Sequence, residues 1–165
     1  MTPVKPIYPI YVISKGRADT CLTADFLLRD NIPFHIVIEP QERDSYAEKY
    51  GEDVLYTLPF SNLGQGSIPA RNWVKEHSIS QGAKRHWILD DNMREVYRWY
   101  RGKRIRCHSG VAFGITENFI DRYTNVAIGG LNYSMFGITP NRNNSGGIHL
   151  MPPFRLNCHV YSCIL

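Results

Sequence analysis

Four short apolar runs separated by helix-like segments constrain this chain more than any other feature. Ile7–Ile13 (IYPIYVI) and Phe34–Ile38 (FHIVI) are nearly unbroken stretches of β-branched and aromatic residues, the pattern of strands buried on both faces. Val54–Leu58 and His86–Leu89 supply a third and a fourth strand. The first connection reads as a helix capped by Asp19 or Thr20, with Cys21, Ala24, Leu27 and Leu28 on one face and Asn31 and Pro33 closing it. The second is a short helix, Glu42–Tyr50, with Tyr46 and Tyr50 four apart and Gly51 as its stop. The third runs from Ala70 to Gln81, with Pro69 in its first turn and Gly82 after it. Strands alternating with helices predict an α/β fold with a mostly parallel sheet and right-handed crossovers. At 165 residues the chain forms one domain with a sizeable core.

Beyond Asn92 the alternation weakens. Arg94–Tyr100 fits a strand or a helix. Arg101-Gly102-Lys103-Arg104 is a basic turn, and Ser109–Tyr123 reads as an amphipathic helix with Ala112, Ile115, Phe119 and Tyr123 on one face. Val126–Phe136 is strand material broken by Gly129-Gly130, Thr139–Gly147 is a polar loop, and Phe154–Leu165 is strand-like. The sequence stops at Cys163-Ile164-Leu165, inside an apolar run, which sets the expectation of a C-terminal truncation.

The net charge of +4 suits a polyanionic partner but is common among enzymes. The four cysteines, at 21, 107, 158 and 163, have no CxxC spacing and match no standard zinc module, so they read as free thiols of a cytoplasmic protein. The first residues lack the apolar core of a signal peptide, and no run approaches the roughly 18 apolar residues of a membrane span.

Chemistry concentrates at His86-Trp87-Ile88-Leu89-Asp90-Asp91-Asn92. A buried strand ending in two carboxylates and an amide presents oxygen donors at the carboxyl edge of the sheet, where open α/β sheets bind ligands. Such oxygens suit a hard divalent cation, Mg²⁺ or Mn²⁺; a capped strand end is the alternative, since Asp and Asn favour turns. Arg71 lies in the first turn of a helix, where phosphates are attracted and a cation opposes the helix dipole. That conflict points to an anionic partner or to a surface ion pair. Ser14, Lys15, Arg17 and Glu39 end the first two strands on the same edge as Asp90 and suit a base and its ribose. No Walker A or GxGxxG fingerprint follows a strand, which disfavours kinase, ATPase and dehydrogenase functions. Arg98, Arg101, Lys103, Arg104 and Arg106, interleaved with Tyr97, Trp99 and Tyr100, can track a phosphate backbone and stack bases; a solvated basic turn is the bland account.

The ordered set Ser14-Lys15-Gly16-Arg17, then Ile68-Pro69-Ala70-Arg71-Asn72 opening a helix, then Trp87-Ile88-Leu89-Asp90-Asp91-Asn92 resembles GT-A-type, family-2-like glycosyltransferases. With Asn157-Cys158-His159-Val160-Tyr161-Ser162-Cys163 it is closer still to the TET-associated glycosyltransferase domain of phages and some eukaryotic proteins. The resemblance implies a Rossmann-like three-layer α/β/α GT-A fold, with a nucleotide-sugar-binding half at 7–92 and an acceptor-side portion, incomplete, at 93–165. It implies a nucleotide-sugar donor, a UDP-sugar, a divalent metal (Mn or Mg), and a hydroxyl acceptor. In phage members that acceptor is a 5-hydroxymethylpyrimidine in DNA, and the location is then the host cytoplasm. By the same resemblance Ser14, Arg17, Glu39, Arg71, Asp90 and Asp91 bind the nucleotide sugar and Asp90 and Asn92 hold the metal. From the basic-aromatic stretch, Arg101, Lys103 and Arg104 are the nucleic-acid contacts.

Two departures from the family pattern stand out. Its last acidic position is Asn92 here, a weaker metal ligand than Asp. Its catalytic base follows the strand that ends this sequence, and Glu95, Glu117 and Asp121 sit in no base motif, so the base is expected outside the chain. A nucleotide- or nucleic-acid-binding module without turnover, and a transferase with a glycan or protein acceptor, are the competing expectations.

Overall fold

The structure is a computed structural model; it describes residues 5–101, 103–126, 128–131 and 161–164. Thr139–Gly147 and Cys158 lie outside them. A six-stranded sheet runs in the order β3 (Leu55–Thr57), β2 (His35–Ile38), β1 (Ile10–Ile13), β4 (Arg85–Asp90), β8 (Tyr161–Ile164), β7 (Ile128–Gly129). The first four strands are parallel, and β8 pairs antiparallel with both β4 and β7. β5 (Tyr97–Tyr100) and β6 (Lys103–Arg106) form a separate antiparallel hairpin, so the ambiguous 94–100 segment ends as a strand.

Side chains alternate across the pleat. Ile10, Val12, Ile36, Ile38, Trp87 and Leu89 pack on one face with α1 (Leu22–Arg29), Tyr46 of α2 (Arg43–Tyr50), and Ala112 and Phe113 of α4 (Ser109–Ile120). Tyr11, Val37 and Ile88 pack on the other with Ala70 and Val74 of α3 (Ile68–Ser80). Helices cover both faces, so the architecture is the Rossmann-like three-layer α/β/α expected. The strand order reverses at β1, which opens a crevice at the carboxyl ends of β1 and β4.

Three local expectations change. β1 starts at Ile10, because the N–H groups of Ile7 and Tyr8 go to the carboxylate of Glu117. Asp19 and Thr20 lie in a 3-10 turn, Ala18–Thr20, and α1 starts without a side-chain cap. Its buried residues are Thr23, Ala24, Phe26 and Leu27, while Leu28 is 51% exposed.

On α4, Ala112 is buried as expected, but Ile115, Phe119 and Tyr123 are exposed among the described residues. The buried stripe is Ala112, Phe113, Glu117 and Ile120. A polarity pattern cannot anticipate this, because the stripe contains a carboxylate. Glu117 accepts the Trp87 indole N–H at 2.7 Å as well as the two backbone N–H groups. Burial pushes its carboxyl above the ordinary range, against the pull of those donors. Cys21 and Cys107 are free thiols. Among the described residues no helix is long and apolar enough to cross a membrane.

Candidate active site at the strand-order reversal

Register builds the site. Ile13 of β1 stands opposite Asp90 of β4, so the next residues, Ser14 and Asp91, meet at the sheet's carboxyl edge. Ser14 Oγ donates to Asp91 Oδ2 at 2.9 Å, and the Arg17 guanidinium donates to Asp91 Oδ1 at 3.0 Å. Asp91 is thus engaged through both oxygens. Thr23, at the start of α1, holds the turn from behind. Its N–H meets the Asp91 carbonyl at 3.2 Å, its hydroxyl donates to the Asp90 carbonyl, and its Oγ1 accepts the Met93 N–H at 2.9 Å.

Arg71 reaches the same edge from the first turn of α3, donating to Asp90 Oδ1 at 2.6 Å and to Ser67 Oγ at 3.1 Å. Of the two sequence alternatives for Arg71, the structure shows the ion pair, and its partner is the carboxylate of the acidic motif. Asn92 is exposed beside them.

A third group lies at the end of β2. Glu39 pairs with Lys15 at 2.7 Å and accepts the Asn62 N–H at 3.1 Å and the Gln41 amide at 2.6 Å. The Lys15 ammonium leads the effects that hold the Glu39 carboxyl below its ordinary range. Lys15 also donates to the Asn62 side chain at 3.0 Å. Between this group and α3 lies a cavity of about 180 Å³, walled by Ile13, Val37, Leu58, Phe60 and Ala70 and edged by Ser14, Lys15 and Glu39. Ligand sites for whole drug-sized molecules span roughly 300–1,000 Å³. The cavity is smaller than that range and lies beside the open edge that carries Ser14.

Six of the expected residues, Ser14, Arg17, Glu39, Arg71, Asp90 and Asp91, thus converge on one edge, with Asn92 adjoining. Arg101, Lys103 and Arg104 do not. They lie on the β5–β6 hairpin, whose base is fastened to Asp30 by Arg106 and by Ser109 of α4. Asp30 caps the end of α1 away from Asp91, and an eight-residue helix is roughly 12 Å long. Residues 8–165 match the family described as TET-Associated Glycosyltransferase.

The chain belongs to that family. It is a glycosyltransferase by family, and the match covers the whole of the edge just described. No curated protein and no solved structure matches it.

Tyr46, Thr23, Glu42 and Asn62 are parts of this glycosyltransferase's edge that sequence reasoning missed. In the sequence Tyr46 is only half of a helical tyrosine pair with Tyr50, and nothing in its spacing tells a core phenol from one bonded to Ser14. Asn62 carries a faint signal as an Asn just before Gly64 and Gly66, a residue type that tolerates the left-handed turn conformation it adopts at φ 51°. Among the described residues no cluster of three or more His, Cys, Asp or Glu side chains gathers to hold a metal.

Proposed function

We propose that this glycosyltransferase uses a nucleoside-diphosphate sugar, specifically a UDP-sugar, and transfers the sugar to the hydroxyl of a 5-hydroxymethylpyrimidine in DNA. The observation that carries the donor half is the Arg71–Asp90 pair on the edge beside a base-sized cavity. The flat base enters the cavity under Glu39 and Lys15. The ribose lies near Ser14 and Arg17, and the diphosphate reaches Arg71. A guanidinium at a helix N-terminus adds its charge to that of the unpaired N–H groups, so charge growing on the departing diphosphate is stabilised as the glycosidic bond breaks.

The donor set fits a divalent cation, Mn²⁺ or Mg²⁺, in a limited form. Asp90 and Asn92 are oxygen donors on the edge, with Asp90 Oδ1 already accepting from Arg71 and both Asp91 oxygens accepting bonds within the protein. Two protein ligands suffice for a cation that completes its shell with phosphate oxygens and water. Such a cation would supply further neutralisation of the diphosphate.

For the acceptor half, the hairpin offers charge. Arg98, Arg101, Lys103 and Arg104 lie within residues 97–106, which carry no acidic side chain. A two-stranded ribbon fits the major groove of a duplex. The test is incubation with hydroxymethylated DNA, Mn²⁺ or Mg²⁺ and a panel of UDP-sugars, followed by mass analysis of the nucleosides. A hexose-sized gain, abolished by Arg71→Ala, is expected. Absence of any gain, together with transfer to a glycan or protein, would overturn the acceptor; absence of UDP binding would overturn the donor.

A further inference from the structure

The turn between β1 and α1 carries Ser14 and Arg17 to the donor edge, yet two side chains from α2 and its start secure it. Glu42 Oε1 accepts the N–H of Gly16, which sits at φ 66°. Four residues on, Tyr46 is fully buried at 0% exposure. Its phenol oxygen lies 2.6 Å from Ser14 Oγ and accepts the Arg17 N–H at 3.1 Å.

The direction of these bonds follows from proton counting. Ser14 Oγ donates to Asp91 Oδ2, so the single hydroxyl proton of Ser14 is committed to it. The Tyr46 O–H must then donate to Ser14 while its oxygen takes the Arg17 N–H. The chain of donation therefore runs one way, from Arg17 N–H through Tyr46 and Ser14 to Asp91 Oδ2. The Arg17 guanidinium closes it into a ring at Asp91 Oδ1. Burial pushes the Tyr46 phenol above its ordinary range, which keeps the donating proton in place.

We infer that Tyr46 is a positioning residue of the donor edge: its hydroxyl orients Ser14, Arg17 and Asp91 without itself meeting the ligand. The functional half of this rests on the nucleotide-sugar reading. A residue that serves only as core filling works through its ring. A positioning residue works through its hydroxyl, and Tyr→Phe separates the two. Tyr50 is the matched control. It lies one turn along the same helix, and its phenol bonds Asp25 at 2.8 Å and the Cys21 carbonyl at 3.3 Å instead of the Ser14–Asp91 group.

The experiment compares the full chain with Tyr46→Phe, Tyr50→Phe, Ser14→Ala and the Tyr46→Phe/Ser14→Ala double variant. It measures amide hydrogen exchange at Arg17 by NMR and UDP binding with Mn²⁺ by calorimetry. Tyr46→Phe is expected to speed Arg17 exchange and to weaken UDP about tenfold, the scale of one net hydrogen bond. Tyr50→Phe is expected to leave both within about twofold, and the double variant is expected to bind much as Ser14→Ala does, because the two act in one chain. Unchanged Arg17 exchange in Tyr46→Phe, or equal loss of UDP binding in both phenylalanine variants, would overturn the inference. Should the unmodified chain not bind UDP, the donor reading falls, and Arg17 exchange alone decides whether Tyr46 orders the turn.

Discussion

Arg71 meets a helix end, a carboxylate and a hydroxyl at one point, so its removal has two separable effects. Asp90 is 30% exposed at its side chain, so water can solvate it once Arg71 is gone. Arg71→Ala is therefore expected to cost less than about 1 kcal/mol of stability. Hydrogen bonds to charged groups are worth about 1.5–3 kcal/mol, so UDP binding should fall roughly 10- to 100-fold. Arg71→Lys should fall between, keeping charge without the planar fork. Calorimetry with UDP and thermal melts of both variants check this.

His86 answers a different question. It is fully buried, and neither ring nitrogen has a hydrogen-bond partner among the described residues. Burial, helped by the nearby Lys75 ammonium, takes it from its ordinary 6.5 down to about 4. The unfolded chain then binds the extra proton, so stability is complete above 6.5 and is lost as pH falls towards 4. The loss is up to about 3 kcal/mol. His86→Phe should flatten urea-unfolding stability across that window; an unchanged slope would refute the assignment. Asp90 and Arg71 were legible in the sequence because each breaks a local rule, acids closing an apolar run and a cation opening a helix. Tyr46 and His86 break none, since both look like ordinary core.

At the scale of elements, the β5–β6 hairpin combines a neutralised base with exposed cations. Asp30 accepts the Ser109 N–H and Oγ–H and pairs with Arg106, and Glu95 takes both Arg106 and Arg29. Although burial opposes it, these donors hold the Asp30 carboxyl below its ordinary range. Arg106 is therefore spent on anchoring. Arg101 lies over the Tyr100 ring at 5.2 Å, and Lys103 and Arg104 are exposed. Replacing Arg101, Lys103 and Arg104 by Gln should leave the melting temperature nearly unchanged and reduce the slope of log K against log salt for duplex DNA by about 2–3. An unaltered slope would rule the hairpin out as a phosphate contact. The basic composition was plain in the sequence, but its separation from the acidic motif was not. Residues 92–96 carry the chain along α1, and only tertiary contacts such as Arg29–Glu95 at 2.7 Å record that. For α4 the buried carboxylate of Glu117 defeats a pattern that counts acids as solvent-facing.

For the whole molecule, the parallel half of the sheet could be read directly, because continuous apolar runs and intervening helices admit few topologies. The antiparallel portion could not. A strand-like run near 161 names an element but not its neighbours, and its place between β4 and β7 depends on which edge is still open. That placement bears on how the chain is made. Arg85 pairs with Ile164 and Ile88 with Tyr161, so β4 receives its second partner from residues that are synthesised 73–79 positions later. At roughly 5–20 residues per second, the ribosome takes about 4–16 seconds to deliver them. Throughout that interval the edge of β4, lined with unpaired N–H and C=O groups, is open to any other strand. The strand that ends in Asp90 is therefore open to mispairing during synthesis, and chaperone protection of the nascent chain matters before residue 161 emerges.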